Sequence, residues 1–288
     1  MTWIHLNGRL VAPGEGRIDP ADRGLLLADG LFETLRSYRG RPFRLEAHLM
    51  RLADGAAVIG LAMPPAAEIA AAVGATLTAN GLEDAAIRIT LTRGSGPRGL
   101  LPPPDAKPTL LVAAHPLPAL LPAATTACIV APRRNEHSPL SRLKSLAYLD
   151  NILALREAVA RGCDEAIQLN TPGRLASGSR SNLFLVLDGT LSTPPPVEGV
   201  LPGIARQTVL DLAAGQGMPT QEMPLTLADI ARASEAFLTN SLLEVVPLAR
   251  IEDRTLAPGP AGAELACLYR QLATRDDRGR IGGSMPPS

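Results

Sequence analysis

Short apolar runs bounded by glycine and proline alternate with segments of helical periodicity along this chain, and this alternation limits the fold more than any other feature. The runs have the length and residue types of β-strands, and the Asn7-Gly8 dipeptide between the first two is a strong hairpin signal. We therefore predict strands over 3–6, 9–11, 86–92, 109–114, 127–131, 166–170, 183–187, 236–239 and 244–248.

The segments between these runs carry leucine and alanine at helical spacing. Gly81 and Gly162 follow two of the segments as stop signals, and Thr226 precedes another as an N-cap residue. These features predict helices over 45–56, 69–80, 146–161, 203–214 and 227–233. The predicted fold class is therefore α/β, of mixed α+β character.

A chain of 288 residues is long enough for two domains that share an interface. A proline-rich stretch separates the two halves, and the end of the chain is polar and rich in glycine. We predict an N-terminal α+β domain over 1–115, a linker over 116–122, a C-terminal domain over 123–275 and a disordered tail over 276–288.

Charge is balanced in this protein, with 28 basic and 28 acidic residues, which gives no reason to expect a nucleic-acid partner. Prolines within the uncharged stretch 108–132 would break a membrane-spanning helix, so no membrane contact is expected. The N-terminus lacks the pattern of a signal peptide, and three distant cysteines without metal-ligand spacing indicate reduced thiols and no metal site. We expect a cytoplasmic protein that acts on a small molecule.

Lysine is rare in this chain, since only Lys107 and Lys144 occur among the 28 basic residues. A composition bias towards arginine explains the rarity of lysine. A position that keeps lysine despite this bias can require an amine, because arginine cannot supply a deprotonated nucleophile. Lys107 lies in a proline-rich loop, where an exposed charge is sufficient explanation. Lys144 lies among apolar residues before a predicted helix, where partial desolvation favours the neutral amine that forms Schiff bases.

A loop rich in glycine, Gly199-Val-Leu-Pro-Gly203, runs into a predicted helix. The first amides of that helix, from Ile204 and Ala205, have no partner within it and are suited to bind a phosphate, although most helix starts bind only water. The sequence contains no P-loop, no dinucleotide-binding glycine motif, no G-x-S-x-G and no H-E-x-x-H. Nucleotide binding by those motifs is therefore not supported.

Eight segments resemble, in order and spacing, the pattern of class IV aminotransferases, and the resemblance covers residues 1–270. The family includes branched-chain and D-amino-acid transaminases and aminodeoxychorismate lyase. Membership implies a two-domain fold with pyridoxal 5'-phosphate in the cleft between the domains, and a homodimer. The segments are Asp22-Arg-Gly24, Asp29-Gly-Leu-Phe-Glu-Thr34, His48-Leu-Met-Arg-Leu52, Thr92-Arg-Gly-Ser-Gly-Pro-Arg-Gly99, Leu143-Lys-Ser145, Ser181-Asn-Leu-Phe184, Leu201-Pro-Gly-Ile204 and Thr239-Asn-Ser-Leu-Leu-Glu244.

The resemblance gives five of these residues a role in holding the cofactor. Lys144 corresponds to the Schiff-base lysine, which also moves the substrate proton. Arg51 corresponds to the phosphate arginine, although an arginine on a helix can equally be an ordinary ion-pair partner. The amides of Ile204 and Ala205 and the hydroxyl of Ser241 correspond to the rest of the phosphate site.

Four further positions face the substrate or the ring in the family. Tyr148 corresponds to a contact with the phenolic oxygen of the cofactor, and helix packing is its other interpretation. Arg98 corresponds to the arginine that receives the substrate carboxylate in D-amino-acid transaminases, whereas a loop arginine is more often only solvated. Phe32 stands where transaminases often have tyrosine, and Leu100 where D-amino-acid transaminases have histidine, which weakens the D-amino-acid interpretation.

Ser177 departs from the family pattern. Most members have a glutamate at this position, which keeps the pyridine nitrogen of the cofactor protonated, and no carboxylate occurs between Glu165 and Asp188 to replace it. A serine can hydrogen-bond the nitrogen but supplies no countercharge. We expect a weaker electron sink, and therefore slow transamination or a shift towards elimination.

The leading functional prediction is amino transfer between an amino acid, with branched-chain substrates first, and a 2-oxo acid. Two alternatives stay open. Aminodeoxychorismate lyase, which releases pyruvate and 4-aminobenzoate, shares several of the motifs, and Ser177 also fits a non-catalytic or weakened homologue.

Overall fold

Two β-sheets with helices packed against them form the fold in the computed structural model, which describes residues 2–117 and 122–275. The predicted mixed α/β class is confirmed. The tail predicted over 276–288 and most of the linker predicted over 116–122 lie outside the described residues. No helix in the described part is long and apolar enough to cross a membrane.

The first sheet is built from the N-terminal part of the chain, and all its strand pairs are antiparallel. The hairpin predicted around Asn7-Gly8 is confirmed as its first two strands. Its strands are β1 (Ile4–Leu6), β2 (Arg9–Val11), β3 (Gly30–Tyr38), β4 (Arg41–Pro42), β5 (Ala85–Thr92) and β6 (Thr109–Pro116), in the order β2-β1-β6-β5-β3-β4.

The longest strand, β3, was not predicted from the sequence. It pairs with β5 over eight residues, yet its polar side chains Glu33 and Ser37 are 1% and 0% exposed. A strand is recognised in sequence by apolar side chains that alternate with polar ones or form a continuous run. Buried polar residues interrupt both patterns in β3, so hydrophobic periodicity does not identify this strand.

Three helices accompany the first sheet: α1 (Arg23–Leu27), α2 (Leu45–Val58) and α3 (Ala66–Asn80). Leucines and alanines of α2 and α3 pack with the apolar side chains of β3, β5 and β6 in one core. Helix α3 ends at Gly81, whose left-handed backbone (φ 61°) suits glycine, so the predicted stop signal is confirmed.

The second sheet is formed by the C-terminal part of the chain. It mixes antiparallel pairs with parallel ones, the latter requiring long crossover connections. Its strands are β7 (Thr125–Ile129), β8 (Glu165–Leu169), β9 (Leu175–Gly178), β10 (Asn182–Leu187), β11 (Thr190–Thr193), β12 (Thr220–Glu222), β13 (Glu235–Asn240), β14 (Glu244–Ile251) and β15 (Arg254–Thr255), in the order β12-β11-β10-β13-β14-β7-β8-β9 with β15 against β14.

Four helices belong to this half: α4 (Leu149–Ala160), α5 (Ile204–Gly215), α6 (Leu227–Arg232) and α7 (Pro260–Thr274). Thr226 caps α6 in a capping box with Asp229, as its position predicted. The prediction that a helix starts at Leu146 is wrong by three residues, because the Leu146 amide donates to the Gly30 carbonyl of β3 and the helix begins only at Leu149.

Candidate active site

A cavity of about 390 Å³ is lined by residues of both sheets and their connections. Eight of the nine site residues predicted from the sequence line it, although they are spread along more than 200 positions of the chain. They are Phe32, Arg51, Lys144, Tyr148, Ser177, Ile204, Ala205 and Ser241. Arg98, the ninth, lies on an exposed loop and does not line this cavity, so its substrate role stays a prediction.

Lys144 is placed by backbone contacts with the start of β3. Its carbonyl accepts a hydrogen bond of 2.9 Å from the Phe32 amide, and Ser145 forms a β-bridge with Leu31. The amine donates to the Tyr148 hydroxyl at 3.4 Å and lies 4.6 Å from the centroid of the Phe32 ring. The lysine amine therefore enters the cavity between two aromatic rings, which pack edge to face at 5.0 Å.

Arg51 extends from α2 and is held by a buried carboxylate. Its guanidinium donates to both carboxylate oxygens of Glu33, at 2.8 and 2.6 Å, and to the Pro202 carbonyl at 2.9 Å. His48 Nδ1 lies 2.7 Å from the same carboxylate. Burial alone would raise the pKa of Glu33, but the Arg51 charge and the hydrogen bonds from Arg51 and His48 lower that pKa to about 2. The motif Asp29–Thr34 contains Glu33, but its role in orienting Arg51 was not predicted.

The N-terminus of α5 has the features of an anion site. Its N-cap residue, Gly203, forms no side-chain capping bond, and Ile204 and Ala205 line the cavity. A Cβ at Gly203 would lie 2.0 Å from Asn182 Oδ1, so only glycine fits this approach. Thr239 lines the same cavity, and its buried hydroxyl has no hydrogen-bond partner among the described residues. Free amides, a helix dipole and an unpaired hydroxyl fit a phosphate group.

Ser177 lies at another part of the cavity wall, on the edge strand β9. It is 6% exposed, and its hydroxyl donates to the Gly178 carbonyl at 3.0 Å. Glu165, on the neighbouring strand β8, is engaged by the backbone and hydroxyl of Ser179 and by the Ser181 hydroxyl. Within residues 2–117 and 122–275, therefore, no free carboxylate lines the cavity beside Ser177.

Cationic side chains dominate the cavity. Among the described residues that line it, none is acidic, whereas Arg51, Arg88, Arg134, Lys144 and Arg180 are basic. The Arg88 guanidinium lies 3.9 Å from the centroid of the Phe32 ring. Burial lowers the pKa of Arg88 and of Arg134. Such a lining favours ligands with several negative groups.

Sequence reasoning did not identify Arg88 or Arg134. Arg88 is the one charged residue in the apolar run 86–92, and that exception was the available signal. Arg134 carries no such signal. It is directed by hydrogen bonds to the Ser141 carbonyl, seven residues away, and to the Gly199 carbonyl, which is remote in the chain.

Known relatives cover almost the whole chain. Residues 30–251 match the family model described as amino-transferase class IV. The chain is 39% identical over 256 residues to a Methanocaldococcus jannaschii protein named "Putative branched-chain-amino-acid aminotransferase", with 88% of this chain and 89% of that protein covered. It is 31% identical over 274 residues to aminodeoxychorismate lyase of Bacillus subtilis, with 93% and 94% covered.

Solved structures of branched-chain aminotransferases are similar to this chain in fold. The branched-chain aminotransferase of Thermoproteus uzoniensis, solved with norvaline, has a TM-score of 0.90 and 35% identity, with 96% of both chains covered. A T.th. branched-chain amino acid aminotransferase, complexed with N-(5'-phosphopyridoxyl)-L-glutamate, has a TM-score of 0.89 and 28% identity, with 95% of this chain and 94% of that chain covered.

Proposed function

This chain belongs to the class IV aminotransferase family of enzymes, and from that premise we propose that it is a pyridoxal-phosphate-dependent aminotransferase that moves an amino group between a branched-chain amino acid and a 2-oxo acid. The observation that carries the proposal is one cavity with an amine, Lys144, an uncapped helix N-terminus and no acidic lining residue among those described. An amine suits the aldehyde of the cofactor, and the helix N-terminus suits its phosphate.

In this proposal the phosphate is held by Arg51, the amides of Ile204 and Ala205, and the Ser241 hydroxyl. Glu33 orients Arg51, so the guanidinium approaches the phosphate in one geometry. When bound, pyridoxal phosphate supplies an aldehyde that condenses with amines and a ring that accepts electrons.

Lys144 has two tasks in the proposed reaction. Its Nζ would hold the cofactor through the aldehyde, and as a free amine it would take and return the substrate proton. The Tyr148 hydroxyl, 3.4 Å from Nζ, orients the amine and would contact the phenolic oxygen of a bound cofactor. Phe32 packs beside both groups and limits the access of water.

The substrate side of the cavity combines a cation with apolar surface. Arg88 offers a guanidinium for the substrate carboxylate, and its contact with Phe32 fixes its position. Leu201, Leu242 and Leu243 line the cavity and suit an aliphatic side chain. This combination supports a branched-chain amino acid as substrate.

A spectrum tests the cofactor and its anchor. Protein supplied with pyridoxal phosphate should absorb in the near-ultraviolet or visible range, and borohydride should abolish that band by reducing the bond between Lys144 and the cofactor. Lys144→Ala should lose the band. Lys107→Ala removes the other lysine of the chain and should keep it, which makes it the matched control. A wild-type protein without any such band would refute the proposal.

Aminodeoxychorismate lyase activity is the second candidate. The 31% identity to the Bacillus subtilis lyase supports it, and so do Arg134 and Arg180, which add cations beyond those that one phosphate and one carboxylate need. Formation of 4-aminobenzoate and pyruvate from aminodeoxychorismate would identify a lyase. Formation of glutamate from leucine and 2-oxoglutarate would identify a transaminase.

We also propose a homodimer in the cytoplasm. An exposed leucine patch, formed by Leu25, Leu26 and Leu27 of α1 with Leu100 and Leu101, supports the dimer because these side chains are 47–88% exposed. Arg23 joins the two parts of the patch through hydrogen bonds to the Gly99 and Leu100 carbonyls. Arg98 lies on the same loop and would be carried towards a second chain. The free state of all three cysteines suits a reducing compartment.

A further inference from the structure

A buried amide without a partner lies directly beside Ser177. Gln168, on β8, is 0% exposed, and neither its Nε2 nor its Oε1 has a hydrogen-bond partner among the described residues. Leaving a buried polar group unpaired costs about 1–3 kcal/mol, and native proteins contain few such groups. The position of this amide therefore requires an explanation.

Gln168 faces Ser177 across the sheet. The two residues are Cα partners in the antiparallel β8·β9 pair, where side chains on one face have Cβ atoms about 4.5–5.5 Å apart. A glutamine amide spans that distance to a serine hydroxyl. The Ser177 hydroxyl uses its proton on the adjacent Gly178 carbonyl, so its oxygen lone pairs are free to accept.

The charges around Ser177 disfavour another positive charge. Arg134 and Arg180 line the same cavity. The Glu165 carboxylate accepts from Ser179 and Ser181 and lies 3.5 Å from Arg180 Nε. Glu165 is also three residues from Gln168 on the same strand, and positions an odd number apart point to opposite faces. A protonated pyridine nitrogen at Ser177 would gain little from this carboxylate, and the described residues that line the cavity supply no other.

We propose that Gln168 is a positioning residue: when the cofactor is bound, its amide N–H, which is unpaired among the described residues of this structure, donates to Ser177 Oγ, and the Ser177 proton turns from the Gly178 carbonyl to the unprotonated pyridine nitrogen of the cofactor. The inference rests on the proposed function, since it requires pyridoxal phosphate in the cavity. A hydroxyl has one proton and two acceptor lone pairs. With the Gln168 amide on one lone pair and the proton directed at the cofactor, Ser177 offers the ring nitrogen a donor, which favours a nitrogen that carries no proton. Gln168 and Ser177 together replace the acidic contact that the family pattern has at this position with a neutral one.

The protonation state of the ring nitrogen can be read directly from cofactor labelled with ¹⁵N in the ring, by the nitrogen chemical shift of the loaded protein. We expect the wild type to show an unprotonated nitrogen throughout pH 6–8 and Ser177→Glu to show a protonated one. In Gln168→Leu and Gln168→Met, Ser177 keeps its proton on the Gly178 carbonyl and accepts instead. The nitrogen pKa should then rise by about one unit or more, a tenfold change in proton affinity.

Two outcomes overturn the inference: a protonated nitrogen in the wild type, or an unchanged nitrogen pKa in the Gln168 variants. Gln168→Met keeps the length and volume of the side chain, so it provides the test if Gln168→Leu fails to fold. Gln221→Leu, an exposed site on β12, is the control and should leave the nitrogen signal unchanged. A wild type that does not bind the cofactor at all refutes the proposed function as well, whereas binding with a protonated nitrogen refutes only the role of Gln168.

Discussion

Glu33 shows how one buried residue orders the site without facing a ligand. Its carboxylate receives two hydrogen bonds from Arg51 and one contact from His48, and all three side chains belong to the β3·α2 contact. A buried carboxylate is stable only when such partners compensate its desolvation. The phosphate arginine of the proposed site therefore depends on an ion pair in the core of the first sheet.

This ion pair predicts a pH dependence of stability. The pKa of Glu33 falls from 4.5 to about 2 on folding, which corresponds to about 3 kcal/mol. A lowered carboxylate pKa stabilises the fold above the unfolded value, and this contribution disappears as the pH falls from 4.5 towards 2. In Glu33→Gln we expect lower stability at pH 7 and a decline between pH 5 and pH 2 that is smaller by about 3 kcal/mol. Urea unfolding of cofactor-free protein over this pH range measures both effects.

Glu83→Gln is the matched control for that measurement, because Glu83 is exposed. It should keep the wild-type pH dependence. If Glu33→Gln and the wild type lost stability in parallel between pH 5 and pH 2, the Arg51–Glu33 pair would not be the source of the effect.

At the scale of elements, the N-terminus of helix α5 predicts how tightly the cofactor binds. A side chain at Gly203 would displace Asn182, whose amide now donates to the Leu201 carbonyl and holds the loop before the helix. Gly203→Ala should therefore move the Ile204 and Ala205 amides away from the phosphate. The loss of about one hydrogen bond, roughly 1–2 kcal/mol, weakens cofactor affinity about tenfold. Fluorescence titration of the apoprotein with pyridoxal phosphate measures the change.

The same helix contains its own control. Gly215 is the last residue of α5, and a Cβ there would meet nothing within 4 Å. Gly215→Ala should keep the wild-type affinity for the cofactor. Equal affinities of the two alanine variants would contradict a phosphate site at the N-terminus of the helix.

Elements differ in how far local sequence predicts them. Helix α3 and strands β5 and β6 were predicted closely, because one face or both faces are uniformly apolar. Helix α7 was not predicted, since Pro260 and Gly262 obscure its periodicity, although Leu265 and Tyr269 are fully buried against the second sheet. The segment 146–148 was predicted as the first turn of a helix that begins only at Leu149, because the contacts of Ser145 and Leu146 with β3 are not visible in the local sequence.

At the scale of the whole molecule, the exposed leucine patch predicts that two copies of the chain form a dimer. Leu25 and Leu101 are 69% and 88% exposed, and a second copy of the chain would remove both from water. We expect the wild type to have the mass of a dimer in light scattering coupled to size exclusion. The double variant Leu25→Asp with Leu101→Asp should shift to the mass of a monomer, because burying two carboxylates at an interface is costly.

Leu227→Asp is the control for this experiment. Leu227 is 48% exposed at the start of α6, far from the patch in sequence, and aspartate is favourable in the first turn of a helix. It should leave the mass unchanged. A wild type with the mass of a monomer would contradict the proposed homodimer.

By itself, the sequence determined the fold class, the family, the segments that supply the site and the departure at Ser177, because ordered motifs and apolar periodicity are local properties of the chain. The tertiary structure decided what stands next to these segments. It placed Glu33 on Arg51, Arg88 beside Phe32 and an unpaired Gln168 opposite Ser177, and it left Arg98 outside the cavity. These outcomes depend on strand register and on helices that pack across the chain, and no local pattern encodes contacts between residues so far apart in sequence.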